Sequence, residues 1–190
     1  SLKSYLDSNE NGLGEYVKSI EYTYNVSPQI FRTDGNGVRQ VNPDSSFSAL
    51  GLGSGESANS MMSMTMNTDV FFEMPGNPDL YEDQYDIKAG RWPEAYHECV
   101  LVLTPSGDIS DLMMYTLGLR DAEELDEMVR QFAAEETVET PDNIGSYSYE
   151  EILDVSFRLV NSADYYEYDS EYDVWVDKSD GETYMENLVE

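Results

Sequence analysis

The sequence has very little cysteine, histidine or basic charge. Its one cysteine, Cys99, cannot form an internal disulfide, and it lies in an apolar run, where a free cysteine usually behaves as a small hydrophobic side chain. A catalytic triad or a histidine-ligated zinc site would have to use His97, the only histidine, so we expect neither. No glycine-rich loop of the phosphate-binding or dinucleotide-binding type occurs, so no ATP site is predicted in this sequence.

Basic residues are greatly outnumbered by acidic ones. The 190 residues include 10 lysines and arginines against 39 aspartates and glutamates, which gives a net charge of −29. Such a charge repels nucleic-acid phosphates and anionic lipid headgroups, so nucleic-acid binding is excluded as a function. With 40% apolar and 12% aromatic residues the chain differs from a disordered acidic tail, and it is long enough to bury a hydrophobic core. We expect one folded domain rather than two.

Long apolar runs are also missing. No segment approaches the ~20 apolar residues that span a bilayer. The sequence begins at Ser1 with neither an initiator methionine nor a basic and then apolar signal. We therefore expect an excised fragment of a longer protein, although a mature secreted protein would begin in the same way.

The most informative segment is 84–119. Residues 97–103 form a nearly continuous apolar run that ends at Thr104-Pro105-Ser106-Gly107, a pattern typical of a strand buried on both faces. Apolar residues then recur at helical spacing over 111–117, and Gly118 suits the left-handed position that follows a helix. We predict a central strand, a turn and a short helix.

Similar patterns elsewhere predict the rest of the fold. The predicted strands are Ile20–Arg32, Met61–Phe72, Cys99–Leu103 and Val155–Val160, and the predicted helices are Asp111–Leu117 and Ala122–Glu136. Ser148 and Glu151 have the spacing of a capping box and predict one more helical turn. Together these elements predict an α+β fold, a mostly antiparallel sheet with two or three helices packed on it.

The order of these segments resembles a known family. Gly90-Arg91-Trp92-Pro93-Glu94, a few polar residues, a strand of Val and Leu, and a helix ending Leu117-Gly118-Leu119 are similar to the extracytoplasmic domain of MacB-like ABC transporter permeases, especially the large Gram-positive versions. The resemblance extends loosely to 20–32 and 148–160, and so covers most of the chain. Gly90, Arg91, Pro93 and Glu94 carry it, and we assign them a structural role only.

The resemblance implies a MacB-like periplasmic core type of fold. Residues 1–18 would be a poorly packed N-terminal segment, 19–163 the α+β extracytoplasmic domain, and 164–190 an acidic, Tyr-rich hairpin and truncated C-terminal helix of the same domain. The implied function is non-catalytic and needs no cofactor: the domain would couple or gate export-type transport, or transmit movement, driven by ATP hydrolysis elsewhere. Its partners would be the rest of the permease, an ATPase subunit, and a cargo or extracytoplasmic protein, and its location the extracytoplasmic face of the cell membrane.

Two other functions remain open from the residues. The first is a secreted or surface-anchored binding domain for a protein or carbohydrate partner. Its candidate contact residues are Tyr165, Tyr166, Tyr168 and Tyr172, because tyrosine is favoured at interfaces. The second is an extracellular hydrolase built on two facing carboxylates.

The Tyr-rich hairpin also contains a candidate calcium site. Asp169, Glu171 and Asp173 alternate as oxygen ligands do in the first half of a calcium-binding loop. Val174 stands where such a loop needs its turn glycine, so a solvated acidic hairpin is the other interpretation.

Overall fold

The structure is a computed structural model that describes residues 1–8, 11–24, 26–34, 37–44, 46, 69–140 and 145–189. The chain divides into two compact units, one of Ser1–Val26 and Phe72–Lys88 and the other of Ser27–Phe71 and Ala89–Glu190. Among the helices that the structure describes, none combines the length and the apolar character that a membrane crossing requires.

The first unit contains little regular structure. Helix α1 spans Leu2–Leu6, and 3-10 turns lie at Leu13–Glu15 and Pro78–Leu80. The two segments of the unit are joined where the Glu21 carboxylate accepts a hydrogen bond of 2.8 Å from the Gly76 amide. No residue of α1 is buried, so this helix is held by its caps and surface contacts rather than by a core.

The second unit contains the other helices and both sheets. In chain order its elements are β1 (Gln29–Asp34), β2 (Gly37–Asn42), α2 (Asp111–Thr116), α3 (Ala122–Ala133), α4 (Tyr149–Leu153), β3 (Arg158–Val160), β4 (Tyr166–Asp169), β5 (Val174–Asp177) and α5 (Glu182–Val189). The strands form a three-stranded sheet in the order β2-β1-β3 and a two-stranded sheet of β4 and β5, and every pair is antiparallel. This architecture confirms the predicted α+β class.

The main core lies between the three-stranded sheet and α5. Phe31 of β1 and Val160 of β3 pack with Met185 and Val189, which lie one helical turn apart on α5. Tyr165, just before β4, places its ring edge against Phe31 with 6.4 Å between ring centroids. The sheet and the last helix therefore stabilise each other by burying the same apolar side chains.

A second core cluster lies between α2 and α3. Tyr115 of α2 packs with Leu125 and Val129, one turn apart on α3. Both helices begin at side-chain caps, since Ser110 Oγ accepts from the Met113 amide and Asp121 Oδ1 accepts from the Glu123 amide.

An ion pair joins β2 to α3. Arg39 donates from both terminal nitrogens to the two carboxylate oxygens of Asp126, at 2.7 and 2.8 Å. This bidentate geometry fixes the orientation of both side chains and so the angle at which α3 approaches the sheet.

The predicted helices are confirmed, with small differences at their ends. The helix predicted over 111–117 ends at Thr116, and Gly118 takes the expected left-handed backbone, with a φ of +73°. The helix predicted to reach Glu136 ends at Ala133. The capping box predicted at Ser148 is present in full, because the Ser148 hydroxyl accepts from the Glu151 amide while the Glu151 carboxylate accepts from the Ser148 amide.

The predicted central strand Cys99–Leu103 is wrong. In the part of the chain that the structure describes, this segment belongs to neither sheet, and Val102 is 61% exposed. The central position belongs to β1, whose two edges are occupied by β2 and β3. An apolar run indicates a preference for burial, but it does not specify a distant pairing partner, and that partner decides whether a strand forms.

Three other strand predictions have mixed outcomes. Val155–Val160 is a strand only over Arg158–Val160, and Ile20–Arg32 only from Gln29 onward. Met61–Phe72 lies outside the described residues up to residue 68, and residues 69–72 are not in a strand.

The early part of Ile20–Arg32 pairs through its side chains instead of its backbone. Tyr22 donates to the Asp7 carboxylate at 2.8 Å, and Lys3 donates to the Tyr24 hydroxyl at 3.1 Å. Contacts with the N-terminal residues Lys3 and Asp7, rather than strand pairing, therefore hold both tyrosines.

Candidate functional site

The β4–β5 hairpin presents three exposed aromatic side chains on one face. Residues directly opposite in an antiparallel pair share a face, and Tyr168 is opposite Trp175 while Tyr166 is opposite Asp177. Tyr166, Tyr168 and Trp175 therefore form one surface, which we call the aromatic face. All three side chains are exposed, Trp175 by 68%.

The turn of the hairpin is held by its own acidic side chains. The Asp169 carboxylate accepts from the backbone amides of Glu171 and Tyr172, at 2.9 and 3.3 Å. Asp173 has a φ of +54°, a left-handed backbone that aspartate tolerates better than most residues. These contacts fix the register that places Tyr168 opposite Trp175.

Tyr168 and Trp175 are neighbouring rings on the aromatic face, and both are exposed. The centroids of Tyr168 and Trp175 are 5.3 Å apart and their planes are tilted by 53°. The Tyr168 hydroxyl donates to the Asp173 carboxylate at 2.6 Å, and this hydrogen bond raises the pKa of Tyr168. Tyr168 is thus held in one orientation with much of its ring in contact with solvent.

A second carboxylate lies at the other end of the aromatic face. The Asp177 carboxylate accepts a hydrogen bond of 2.9 Å from the Ser179 backbone amide, and its interactions with Ser179, the side chain first, lower the pKa of Asp177. Asp173 and Asp177 therefore bracket the rings with negative charge at neutral pH.

The four tyrosines proposed as contact residues do not lie together. Tyr166 and Tyr168 are on the aromatic face, and Tyr172 is exposed in the turn. Tyr165 instead packs on Phe31, its hydroxyl lies 3.3 Å from Gln29 Oε1, and burial raises the pKa of Tyr165 to about 12. Tyr165 anchors the hairpin to the main core.

Trp175 belongs to the site, although the sequence analysis did not select it. Val174 and Val176 lie on the opposite face of β5. The signal that could have found Trp175 was its position between these valines, which places it on the other face of the same strand.

The residues of the calcium candidate serve the turn. Asp169 accepts from two backbone amides, Asp173 accepts from Tyr168, and Glu171 is exposed. Within the described ranges, no group of three or more His, Cys, Asp or Glu side chains is arranged to hold a metal ion. These hydrogen bonds give Asp169 and Asp173 a structural role in the hairpin turn.

The residues that carry the family resemblance form one closed loop over 90–98. Arg91 donates from its two terminal nitrogens to the Glu98 carboxylate, at 2.5 and 3.1 Å. The backbone amides of Glu94 and Ala95 also donate to Glu98, at 2.8 and 3.2 Å. The hydrogen bond from Arg91, followed by that from the Glu94 amide, lowers the pKa of Glu98 from its usual 4.5 to about 2.

Glycine is required at the start of this loop. Gly90 has a φ of +74°, and a Cβ at this position would lie 3.1 Å from a methyl carbon of Leu153. The positive φ favours glycine, and the added Cβ would also make a tight contact that the Leu153 side chain would have to relieve. The contacts therefore give Gly90, Arg91 and Glu94 a structural role in this loop.

The single histidine and the single cysteine of the sequence both lie at the surface. His97 places its ring edge against Tyr96, with 5.2 Å between centroids. Cys99 is exposed as a residue, but its thiol is partly desolvated, and this burial raises the pKa of Cys99. A raised pKa lowers the thiolate fraction at neutral pH, which makes Cys99 a poor nucleophile.

A small cavity lies between β2 and α2. Its lining includes Arg39, Asp44, Tyr115 and Thr116, and its volume is about 10 Å³, room for about one water molecule. This cavity is too small for an organic substrate.

Comparisons with known proteins do not identify the chain. No family model, curated protein or solved structure matches it. The functional argument therefore depends on the hairpin and on the 90–98 loop.

Proposed function

We propose that the chain is a non-catalytic extracytoplasmic domain of an ABC transporter permease of the MacB-like type. The observation that supports this proposal is the 90–98 loop, in which the Arg91 guanidinium and the Glu94 amide donate to the Glu98 carboxylate and Gly90 supplies a left-handed backbone at the start. The motif that carries the resemblance thus lies within one hydrogen-bonded loop.

The mechanism under this proposal is mechanical. ATP hydrolysis in a separate subunit would move the membrane part of the permease, and this domain would transmit or gate that movement or contact a cargo. Such a domain needs elements that keep their relative positions under load. The Arg39–Asp126 pair and the core shared by β1, β3 and α5 supply that rigidity within the second unit.

A hydropathy scan of the gene product that contains this sequence is the first test. The proposal requires an apolar span of about 20 residues shortly before Ser1 and further spans after Glu190. A cleavable signal with no later span would contradict it.

Cys99 allows a direct test of location in cells. The full-length protein is treated at about pH 8 with a membrane-impermeant maleimide, because the pKa of Cys99 is raised and the thiolate is the reactive form. We expect labelling of Cys99 in intact cells, measured as the part of the signal that the Cys99→Ser variant loses. Labelling only after cell lysis would contradict an extracytoplasmic location.

The aromatic face favours a second candidate function. A secreted or surface-anchored binding domain would use Tyr166, Tyr168 and Trp175 to contact a protein or carbohydrate. The same hydropathy scan separates the two candidates, since this one requires a signal and a surface anchor in place of several membrane spans.

A further inference from the structure

We infer that the aromatic face of the β4–β5 hairpin binds a basic segment of a partner protein, with arginine or lysine side chains lying on its rings. The inference names the ligand class for the binding role proposed above and rests on that role. It does not depend on whether the chain belongs to a permease, because a transporter domain and a secreted domain could both use such a contact.

The rings are arranged to receive a cation. Tyr168 and Trp175 lie 5.3 Å apart with planes tilted by 53°, and both side chains keep much of their surface exposed. The face of an aromatic ring carries partial negative charge and attracts lysine and arginine, and tryptophan attracts them most strongly. Trp175 is 68% exposed, so its ring is open to a ligand.

The charges beside the rings favour the same ligand. Residues 166–178 contain five acidic side chains and one basic one, Lys178. Lys178 lies 3.5 Å from the Glu167 carboxylate, and Glu167 is on the face opposite Tyr168. Among the described residues, Asp173 and Asp177 accept from neutral donors and form no salt bridge, so both carboxylates can also pair with a partner's cations.

The shape and the net charge exclude several other ligands. A two-stranded hairpin is an open surface, whereas small molecules bind mostly in concave pockets. Anionic lipid and nucleic acid are repelled by a chain of net charge −29. A polypeptide segment fits an open surface, and arginine can stack its planar guanidinium on a ring while it donates to a neighbouring carboxylate.

The test is calorimetric titration of the chain with a synthetic peptide that alternates arginine with serine, at about 150 mM salt to screen diffuse attraction. The matched peptide contains citrulline, a neutral isostere, in place of arginine. We expect saturable binding of the arginine peptide only. Trp175→Ala should weaken that binding about fivefold or more, and Tyr168→Ala should weaken it as well.

The control variant removes a comparable ring far from the hairpin in sequence. Tyr96→Ala deletes an aromatic side chain that is 90% exposed and leaves the net charge at −29, as Trp175→Ala does. We expect it to bind the arginine peptide as the parent chain does. Circular dichroism of all three variants checks that each is folded.

Several results would overturn the inference. Equal weakening by Tyr96→Ala and Trp175→Ala would show that diffuse negative charge holds the peptide. Equal binding of the citrulline peptide would show that the face does not select cations. Binding of cellotriose in place of the arginine peptide would assign the face to a carbohydrate. A failure here with several membrane spans in the parent gene would leave the permease proposal standing.

Discussion

Glu98 holds the 90–98 loop closed from inside the turn. Its carboxylate accepts from the Arg91 guanidinium and from the backbone amides of Glu94 and Ala95. A single ionised side chain thus satisfies donors that a loop would otherwise leave to water. The contribution of this residue depends on its charge, since hydrogen bonds to an ionised acceptor are stronger than neutral ones.

The depressed pKa of Glu98 predicts an acid-sensitive contribution to stability. Because this pKa is about 2 in the folded chain and usually 4.5, the carboxylate contributes fully above about pH 4.5, and its contribution falls as the pH drops toward 2. Glu98→Gln should lower the free energy of unfolding at pH 7 and flatten its fall between these values. Urea denaturation across the pH series measures both.

The control for Glu98→Gln is Glu186→Gln. Glu186 is exposed on α5, and its substitution removes the same charge. An unfolding free energy that changes equally in both variants would mean that net charge, rather than the loop, explains the effect.

Gly118 predicts a second effect at the scale of one residue. Its φ of +73° is a left-handed backbone, and a Cβ there would overlap the Arg32 guanidinium. Gly118→Ala should lower the free energy of unfolding by roughly 1–2 kcal/mol, the difference that a left-handed backbone makes for a residue with a Cβ. Gly14→Ala is the control, because nothing lies within 4 Å of its added Cβ. Equal urea midpoints for the two variants would contradict the prediction.

At the scale of an element, only part of the apolar face of α3 is buried. Leu125 and Val129 are buried against Tyr115, while Phe132, which helical spacing places near the same face, is 65% exposed. The last turn of α3 extends past the second core cluster. Phe132 in that turn therefore has no buried apolar cluster to pack into among the described residues.

Because Leu125 is buried and Phe132 is exposed, truncating these two residues of α3 should change stability by different amounts. Leu125→Ala should lower the free energy of unfolding by about 2–4 kcal/mol, because it leaves a cavity in the second core cluster. Phe132→Ala should change it by less than about 0.5 kcal/mol, although the side chain removed is larger. Urea denaturation monitored by circular dichroism compares them. A larger effect of Phe132→Ala would place the end of α3 in a core.

The helices could be predicted from sequence because their signals are local. Ser148 and Glu151 are three residues apart, and Ser110 and Asp121 directly precede the helices they cap. The pairing of distant strands could not be predicted, because nothing local specifies it: β1 pairs with residues 158–160, and nothing near Gln29 indicates that partner. Cys99–Leu103 has the more apolar sequence, yet no strand of the described sheets lies beside it.

The candidate site shows the same division. The sequence indicated an acidic, tyrosine-rich hairpin, and the strands Tyr166–Asp169 and Val174–Asp177 confirm that hairpin. It did not show that Tyr165 packs inward or that Trp175 lies opposite Tyr168. Both depend on register, and a shift by one residue would exchange the two faces of a strand.

At the scale of the whole molecule, the dominant property is the net charge of −29. Like charges spread over a folded surface repel one another more strongly than in an expanded chain, which destabilises the compact state. Ion pairs such as Arg39–Asp126 offset this repulsion locally, but ten basic residues cannot pair with 39 acidic ones.

Salt should therefore stabilise the protein. Raising sodium chloride from about 10 to about 150 mM shortens the screening length from about 30 to about 8 Å, so we expect the thermal midpoint to rise by several degrees. Scanning calorimetry at fixed pH measures this midpoint. A midpoint that falls with salt would show that attractive ion pairs outweigh repulsion between like charges.

A second comparison uses magnesium chloride and calcium chloride at equal ionic strength. A rise of the thermal midpoint limited to calcium would support the site predicted at Asp169, Glu171 and Asp173.

The main core also sets the order in which the chain can fold during synthesis. Phe31 is covered by Val160, Met185 and Val189, so the ribosome must add the residues from 31 to 189 before this core can close. At the usual rate of 5–20 residues per second, that interval is roughly 8–32 s. During this interval the nascent chain exposes the apolar side chains of Phe31 and Val38. Repulsion between the many carboxylates of neighbouring nascent chains opposes their association.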